Sequence, residues 1–162
     1  AAYMEAYAAA NMPGAPHQNL ARMAGTWNTE VKMFMGPEPM EVTGTSTIEV
    51  VMDGRFIRET VEGEFQGEQF HAVSYTGYNN ATGEYEASWL DNMSTGIYKY
   101  TGSANEAGNE IVLTGDFIDP VTNQEVDISM VTNLLAADHM VMKSYEDRGD
   151  GEKLTMEVHY RK

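Results

Sequence analysis

The residue types best suited to chemistry crowd into one short run, Trp89-Leu90-Asp91-Asn92-Met93-Ser94-Thr95-Gly96. It combines an acid, an amide and two hydroxyls. A nucleophile needs a base within hydrogen-bond reach and a third group to orient that base. No histidine lies nearby in sequence, so an isomerase- or hydrolase-type site here requires the fold to bring His71 to Asp91. The same residues also suit a tight connection. Asp and Asn make Asx-turns, Ser and Thr make similar hydroxyl turns, and Gly96 accepts positive φ. The run therefore reads first as the link between two strands, shaping a rim above Trp89, with catalysis as the alternative.

Other candidates are scattered. The histidines, His17, His71, His139 and His159, have no metal-binding separation such as His-x-His or His-x3-His. An inward His71 or His159 would still offer haem an axial ligand, against the plainer reading of a satisfied core or rim histidine. Arg55 and Arg58 flank the start of one strand. Turned inward, either would grip the carboxylate of a fatty-acid-like ligand; turned outward, it would pair with Glu59 or Glu62. Twelve methionines, joined by Phe56, Phe70, Tyr75, Tyr85, Trp89 and Tyr98, suit either an adaptable apolar cavity or plain core packing. The acidic loop Glu146–Glu152 has calcium-friendly oxygens without the EF-hand register and reads as a solvated hairpin.

The elements that must position these groups are mostly strands. From Gly25 onward the pattern has period two, with turn residues every 8–12 positions, roughly the spacing of a sandwich or barrel. Ten strands are expected near 26–35, 41–52, 55–63, 67–77, 83–91, 96–103, 109–117, 124–134, 138–146 and 153–161. Turn chemistry separates several of them, as at Asp53-Gly54, Asn79–Gly83, Asp119–Asn123 and Arg148–Gly151. Short loops imply antiparallel neighbours, and closing the meander removes two exposed edges. Trp27, Thr29, Val31, Met33 and Met35 share one face of the first strand; Met140 and Met142 share one face of the ninth. Before the barrel domain (25–162), residues 1–24 form a helical extension: Tyr3–Asn11, stopped by Pro13 and Gly14, then a turn or two over His17–Ala24 with Leu20 and Met23 inward.

Composition narrows the function classes. The 162-residue chain is 42 % hydrophobic, enough for one folded domain with a real core. Ten basic against twenty-five acidic residues give a net charge of −15, which argues against binding to nucleic acid or anionic lipid surfaces. The absence of cysteine excludes disulfides, thiol catalysis and thiolate metal sites. No apolar run approaches the roughly 20 residues of a membrane span. The opening Ala1-Ala2-Tyr3 is what a chain trimmed at a small-residue cleavage site would show, so export is the expectation.

The run Leu20–Trp27 resembles the Gly-x-Trp opening of the lipocalin-like calycin barrels. There a helix leads into a strand whose Trp plugs the closed end, and a late basic residue packs on that Trp. Arg161 stands in that place. A wider set comprises Ala24–Trp27, Thr43-Gly44-Thr45, Gly54-Arg55-Phe56, Gly77-Tyr78-Asn79, Trp89–Gly96, Asp119–Thr122 and Met156–Lys162. Across about residues 12–162 it resembles the bacterial family known as domain of unknown function 1579. Asn79-Asn80 departs from that family's usual Asp-Asn, and His159 from its common Thr. The resemblance implies a lipocalin-like barrel and carries no established reaction. Exported members often bear a Met- and Ala-rich helical lead, which residues 1–12 resemble.

The expectation is an all-β, ten-stranded, antiparallel up-and-down barrel with a short helical N-terminal extension. It is read as a non-enzymatic protein holding an apolar or amphipathic small molecule, with no cofactor. Met33, Arg55, His71, Tyr75, Trp89, Asp91 and Met142 are the candidate ligand contacts. The alternative is an accessory subunit with a filled barrel, meeting a protein partner through residues 1–24.

Overall fold

The computed structural model covers residues 1–162 and shows the expected closed barrel. Helices α1 (Ala2–Ala10) and α2 (Ala15–Ala21) precede β1 (Gly25–Met33), β2 (Met40–Val51), β3 (Phe56–Phe65), β4 (Glu68–Asn79) and β5 (Glu84–Asp91). Then follow β6 (Tyr98–Ala104), β7 (Glu110–Ile118), β8 (Glu125–Ala136), β9 (His139–Asp147) and β10 (Glu152–Arg161). Each strand pairs antiparallel with its sequence neighbour, and β1 pairs with β10 to close the ring. Closure satisfies every edge that a flat meander would leave open.

The two ends of the barrel differ. The β2–β3, β4–β5, β6–β7 and β8–β9 turns lie at the end where β1 begins, and α2 is laid across it. Leu20 and Met23 join Trp27, Ile48, Ile57, Tyr85, Ile111 and Met140 in one buried cluster. The Trp27 indole N–H donates to the Met23 carbonyl at 2.9 Å. His17 completes the plug. Its Nδ1 accepts from the Gly14 N–H at 2.9 Å, which puts the ring proton on Nε2, 3.0 Å from the Tyr78 carbonyl oxygen. This end is sealed, with α2 packed into the same core as the strands.

The residue over Trp27 is Lys162, not Arg161. Its Nζ sits 4.6 Å from the indole centroid and donates to the Ala24 carbonyl. Parity explains the correction. Tyr160 and Lys162 continue the inward phase of β10, whereas Arg161 turns outward beside Glu30, 3.8 Å away.

α1 contributes nothing to this core. None of its residues is buried, and its C-terminal end is tethered by Asn80 Nδ2 to the Ala10 and Met12 carbonyls and by Arg55 Nε to that of Asn11. These hydrogen bonds tie the end of the helix to the β2–β3 and β4–β5 turns.

Candidate functional site

The opposite end carries the β1–β2, β3–β4, β5–β6, β7–β8 and β9–β10 loops, and no helix lies across it. Burial is mixed among the inward side chains towards this mouth: Val126, Ala72, Ser144 and Val158 are buried, whereas others are only partly so. Val31, Met33, Val61, Phe70, Trp89, Tyr98, Phe117, Met130, Met142 and Met156 all retain accessible surface. These partly accessible side chains line the interior of the upper half, the barrel lumen. On the β2–β3 side, Gly44 faces Gly63 directly, and the wall there is bare backbone. A Cβ on Gly44 would lie 2.7 Å from the Glu62 carbonyl oxygen, too close for any side chain. Glycine thus both permits the close approach of these strands and leaves room inside.

The Trp89–Gly96 run is the mouth connection between β5 and β6. Asp91 Oδ1 accepts from the Met93 and Ser94 backbone N–H groups, forming an Asx-turn, while its Oδ2 accepts from the Trp89 indole N–H at 2.8 Å. Asn92 extends the pairing with β4: its Oδ1 accepts from the His71 N–H, and its Nδ2 donates to the Gln69 carbonyl. The acid and the amide are therefore spent on the turn and on fixing Trp89.

Deeper in the barrel lies a carboxyl that sequence reasoning placed only as an arginine partner. Glu59 belongs to the inward set Ile57–Glu59–Val61 of β3. Ser46 Oγ donates to its Oε2 at 2.5 Å, and the Tyr160 hydroxyl interacts with it from the other side. The wall encloses the carboxyl, while the lumen still gives water access to part of the residue. Burial raises its pKa above the ordinary glutamate value, against the lowering effect of the two hydroxyls. Tyr160 responds in the same direction, its pKa raised by burial and by the nearby Glu59. Burial pushes Tyr100 up to about 12, with Tyr98, Asp91 and Glu146 adding to the effect. At the rim Arg148 donates to Asp119 at 2.6 Å and lies 3.7 Å from Glu146.

The candidate contacts divide by strand parity. Met33, Trp89, Asp91 and Met142 face the lumen. Arg55, His71 and Tyr75 do not. The inward positions of β4 are Phe70, Ala72 and Ser74, which turns His71 and Tyr75 out. His71 Nδ1 lies 3.7 Å from Glu62 on the outer wall, and Tyr75 is exposed there. Arg55 sits in the sealed-end β2–β3 turn, and Arg58 pairs outside with Glu49. Neither Arg55 nor Arg58 therefore offers a lumenal grip for a carboxylate. Asp91 is paired with Ala72, one residue away from His71, and the two side chains leave opposite faces of the sheet. That removes the proposed acid–base pair. His139 and His159 also stand outside, their Nε2 and Nδ1 atoms 3.2 Å apart, with Glu157 on the far nitrogen of His159. No histidine reaches the lumen to ligate haem. Phe56 lies on the outer wall over Gly77.

The outer wall bears its own charge pattern. Asp127 is paired with Asp116 on one side and Asp147 on the other, and Asp147 with Glu152. The row borders a shallow depression of about 530 Å³ floored by Thr114 and Ser129. Carboxylate oxygens of Asp116, Glu125 and Asp127 lie within 4.8 Å of one another.

The model of the family described as "Protein of unknown function (DUF1579)" matches residues 12–162. The chain belongs to the DUF1579 family. The match begins where α1 ends, so α1 falls outside the part this chain shares with DUF1579. No curated protein matches the sequence. Among solved structures, this DUF1579 chain is similar to that reported as "Crystal Structure of Rv2717c from M. tuberculosis". The TM-score is 0.64 at 12 % identity, over 93 % of this chain and 99 % of that one. At that identity the similarity speaks for a shared barrel fold and nothing more.

Proposed function

We propose that this DUF1579 protein binds a small apolar or amphipathic molecule in its barrel lumen. The observation that carries the reading is the set of partly buried Met and aromatic side chains, Met33, Trp89, Tyr98, Met130, Met142 and Met156, on the inward face above the buried cluster under α2. Methionine suits such a wall because its flexible thioether adapts to different apolar shapes. The Ser46 and Tyr160 hydroxyls are both held on Glu59 within the wall, and binding is the activity that the apolar wall around them favours.

The test is to purify the protein natively, extract it with organic solvent and examine the extract by mass spectrometry. A stoichiometric small molecule supports the reading. Its absence, together with no saturable uptake of any apolar probe by the folded protein, refutes it.

A second reading rests on α1. Tyr3, Met4, Tyr7 and Met12 are 55–75 % exposed on a segment that the barrel core does not use. On this reading α1 is a contact for a protein partner. Light scattering of the chain with and without residues 1–11 checks it; equal masses at all concentrations remove self-association from consideration.

A further inference from the structure

The lumen carries charge of one sign. Glu59, Asp91 and Glu146 occupy inward positions, the hydrogen-bond partners of Glu59 and Asp91 are neutral groups, and Arg148 at the rim is already held by Asp119 and Glu146. A carboxyl in an enclosed apolar wall with only hydroxyl partners is costly to ionise unless a cation joins it.

Register gives that carboxyl a neighbourhood. Glu59 is paired with Ser74 on β4, Ser74 with Trp89 on β5, and Trp89 with Tyr98 on β6. These four side chains line one cross-strand row. Neighbouring strands stand about 4.8 Å apart, so Glu59 and Trp89 are separated by roughly 10 Å of wall. Ser74 between them is the smallest side chain of the row, so the space over it is bounded by a carboxyl and an indole. Asp91 accepts from the indole N–H and holds the Trp89 ring in place. Beyond Trp89, Tyr98 and Phe117 meet edge to face at 5.7 Å, extending the aromatic wall towards the mouth. An anion on one side and an aromatic face on the other are the two groups that recognise an ammonium ion.

Building on the lumen-binding reading above, we propose that the space over Ser74, between Glu59 and Trp89, seats the ammonium head of a small amphipathic amine. The apolar part of the ligand lies along the Met and aromatic wall towards the mouth. A fatty-acid-like anion is disfavoured in the same place, because its carboxylate would meet Glu59 and Asp91.

Three probes sharing one alkyl chain separate head group from chain: octylammonium, 1-octanol and octanoate, titrated calorimetrically into the full chain at about 150 mM salt to screen the surface charge. Octylammonium is expected to bind at least about tenfold more tightly than the other two. Glu59→Gln should bring all three to within about threefold of one another. Asp127→Asn, which removes an acid from the outer wall, should leave the preference intact. Equal binding of the three probes to the native chain overturns the head-group assignment and leaves lumen binding standing. So does a preference that survives Glu59→Gln in a variant folded by circular dichroism. If Glu59→Gln does not fold, Trp89→Leu replaces it, with the same loss of preference expected and its survival again overturning the proposal. Failure of octylammonium to bind overturns the head-group assignment, whereas lumen binding falls only on the extraction and uptake tests above.

Discussion

Glu59 is the residue whose ionisation most directly affects the fold. Its pKa is raised by burial, so the native state holds the proton more tightly than the unfolded chain does. Stability from this group is full below the unfolded glutamate value near 4.5 and is lost as pH rises through the native value. Glu59→Gln should therefore match the native chain at acid pH and exceed it in Tm around neutrality, flattening the profile between. The gain scales as about 1.4 kcal/mol for each pH unit separating the two titrations. Thermal melts across pH check this; a variant less stable at neutral pH would show that the ionised carboxylate is a net stabiliser. A second contrast concerns the C-terminus. Lys162→Ala should cost about 0.5–1 kcal/mol through its lost contact with the Trp27 face, whereas Arg161→Ala should cost close to nothing. Urea titrations of both variants decide it. Sequence parity already carried the signal for Glu59: an acid standing between Ile57 and Val61 in the apolar phase of a strand. Its neighbour Arg58 offered a ready partner and obscured it. His71 and Tyr75 misled in the opposite way, because β4 carries apolar residues on both faces and its phase is ambiguous until paired.

Among the elements, the two helices have opposite fates in spite of similar sequence cues. Both are short and lie near Pro and Gly, so both are legible as helices. Burial, however, depends on where the barrel's apolar end lies, which no local pattern encodes. α2 supplies Leu20, 1 % exposed, and the turn after it supplies Met23 to the plug. α1 supplies nothing. Leu20→Ala should cost about 2–5 kcal/mol, with the loss read from the urea midpoint. Removing residues 1–11 should change Tm by less than about 2 °C, since only a few exposed hydrogen bonds are lost. A large fall on truncation would mean that α1 shields the sealed end in a way its exposure does not suggest. The strands were the most legible part. Turn residues at Asp53-Gly54 and Arg148–Gly151 mark where pairing must reverse, and the loops left no room for crossovers. The mouth loop was legible as a turn, although its second task of fixing the Trp89 ring emerged only from the fold.

At the scale of the whole molecule, charge opposes compaction. The net −15 is spread over a small surface, and part of it is stacked in the cross-strand row Asp116, Asp127, Asp147 and Glu152. Like charges directly opposite on a sheet destabilise it. Glu125 shows the strain: Asp116, hydrogen-bonded beside it, raises its pKa, and Asp127 adds to the effect. Raising sodium chloride from about 10 mM to about 500 mM should increase Tm by shortening the reach of this repulsion. Asp127→Asn should recover part of the gain at low salt and respond less to added salt. Melting curves at several ionic strengths test both expectations.

The pairing order has a consequence for how the molecule opens. Nine of the ten ladders join strands tied by a short loop; only β1 and β10, paired from Asn28–Arg161 to Met33–Met156, meet without one. When that ladder parts, no covalent turn holds the two strands in register for rejoining. Its closure cost grows with the length of chain between them. The barrel thus has a zip fastener with one unstitched side. Amide hydrogens on this ladder should exchange with solvent sooner than those shared by β2 and β3.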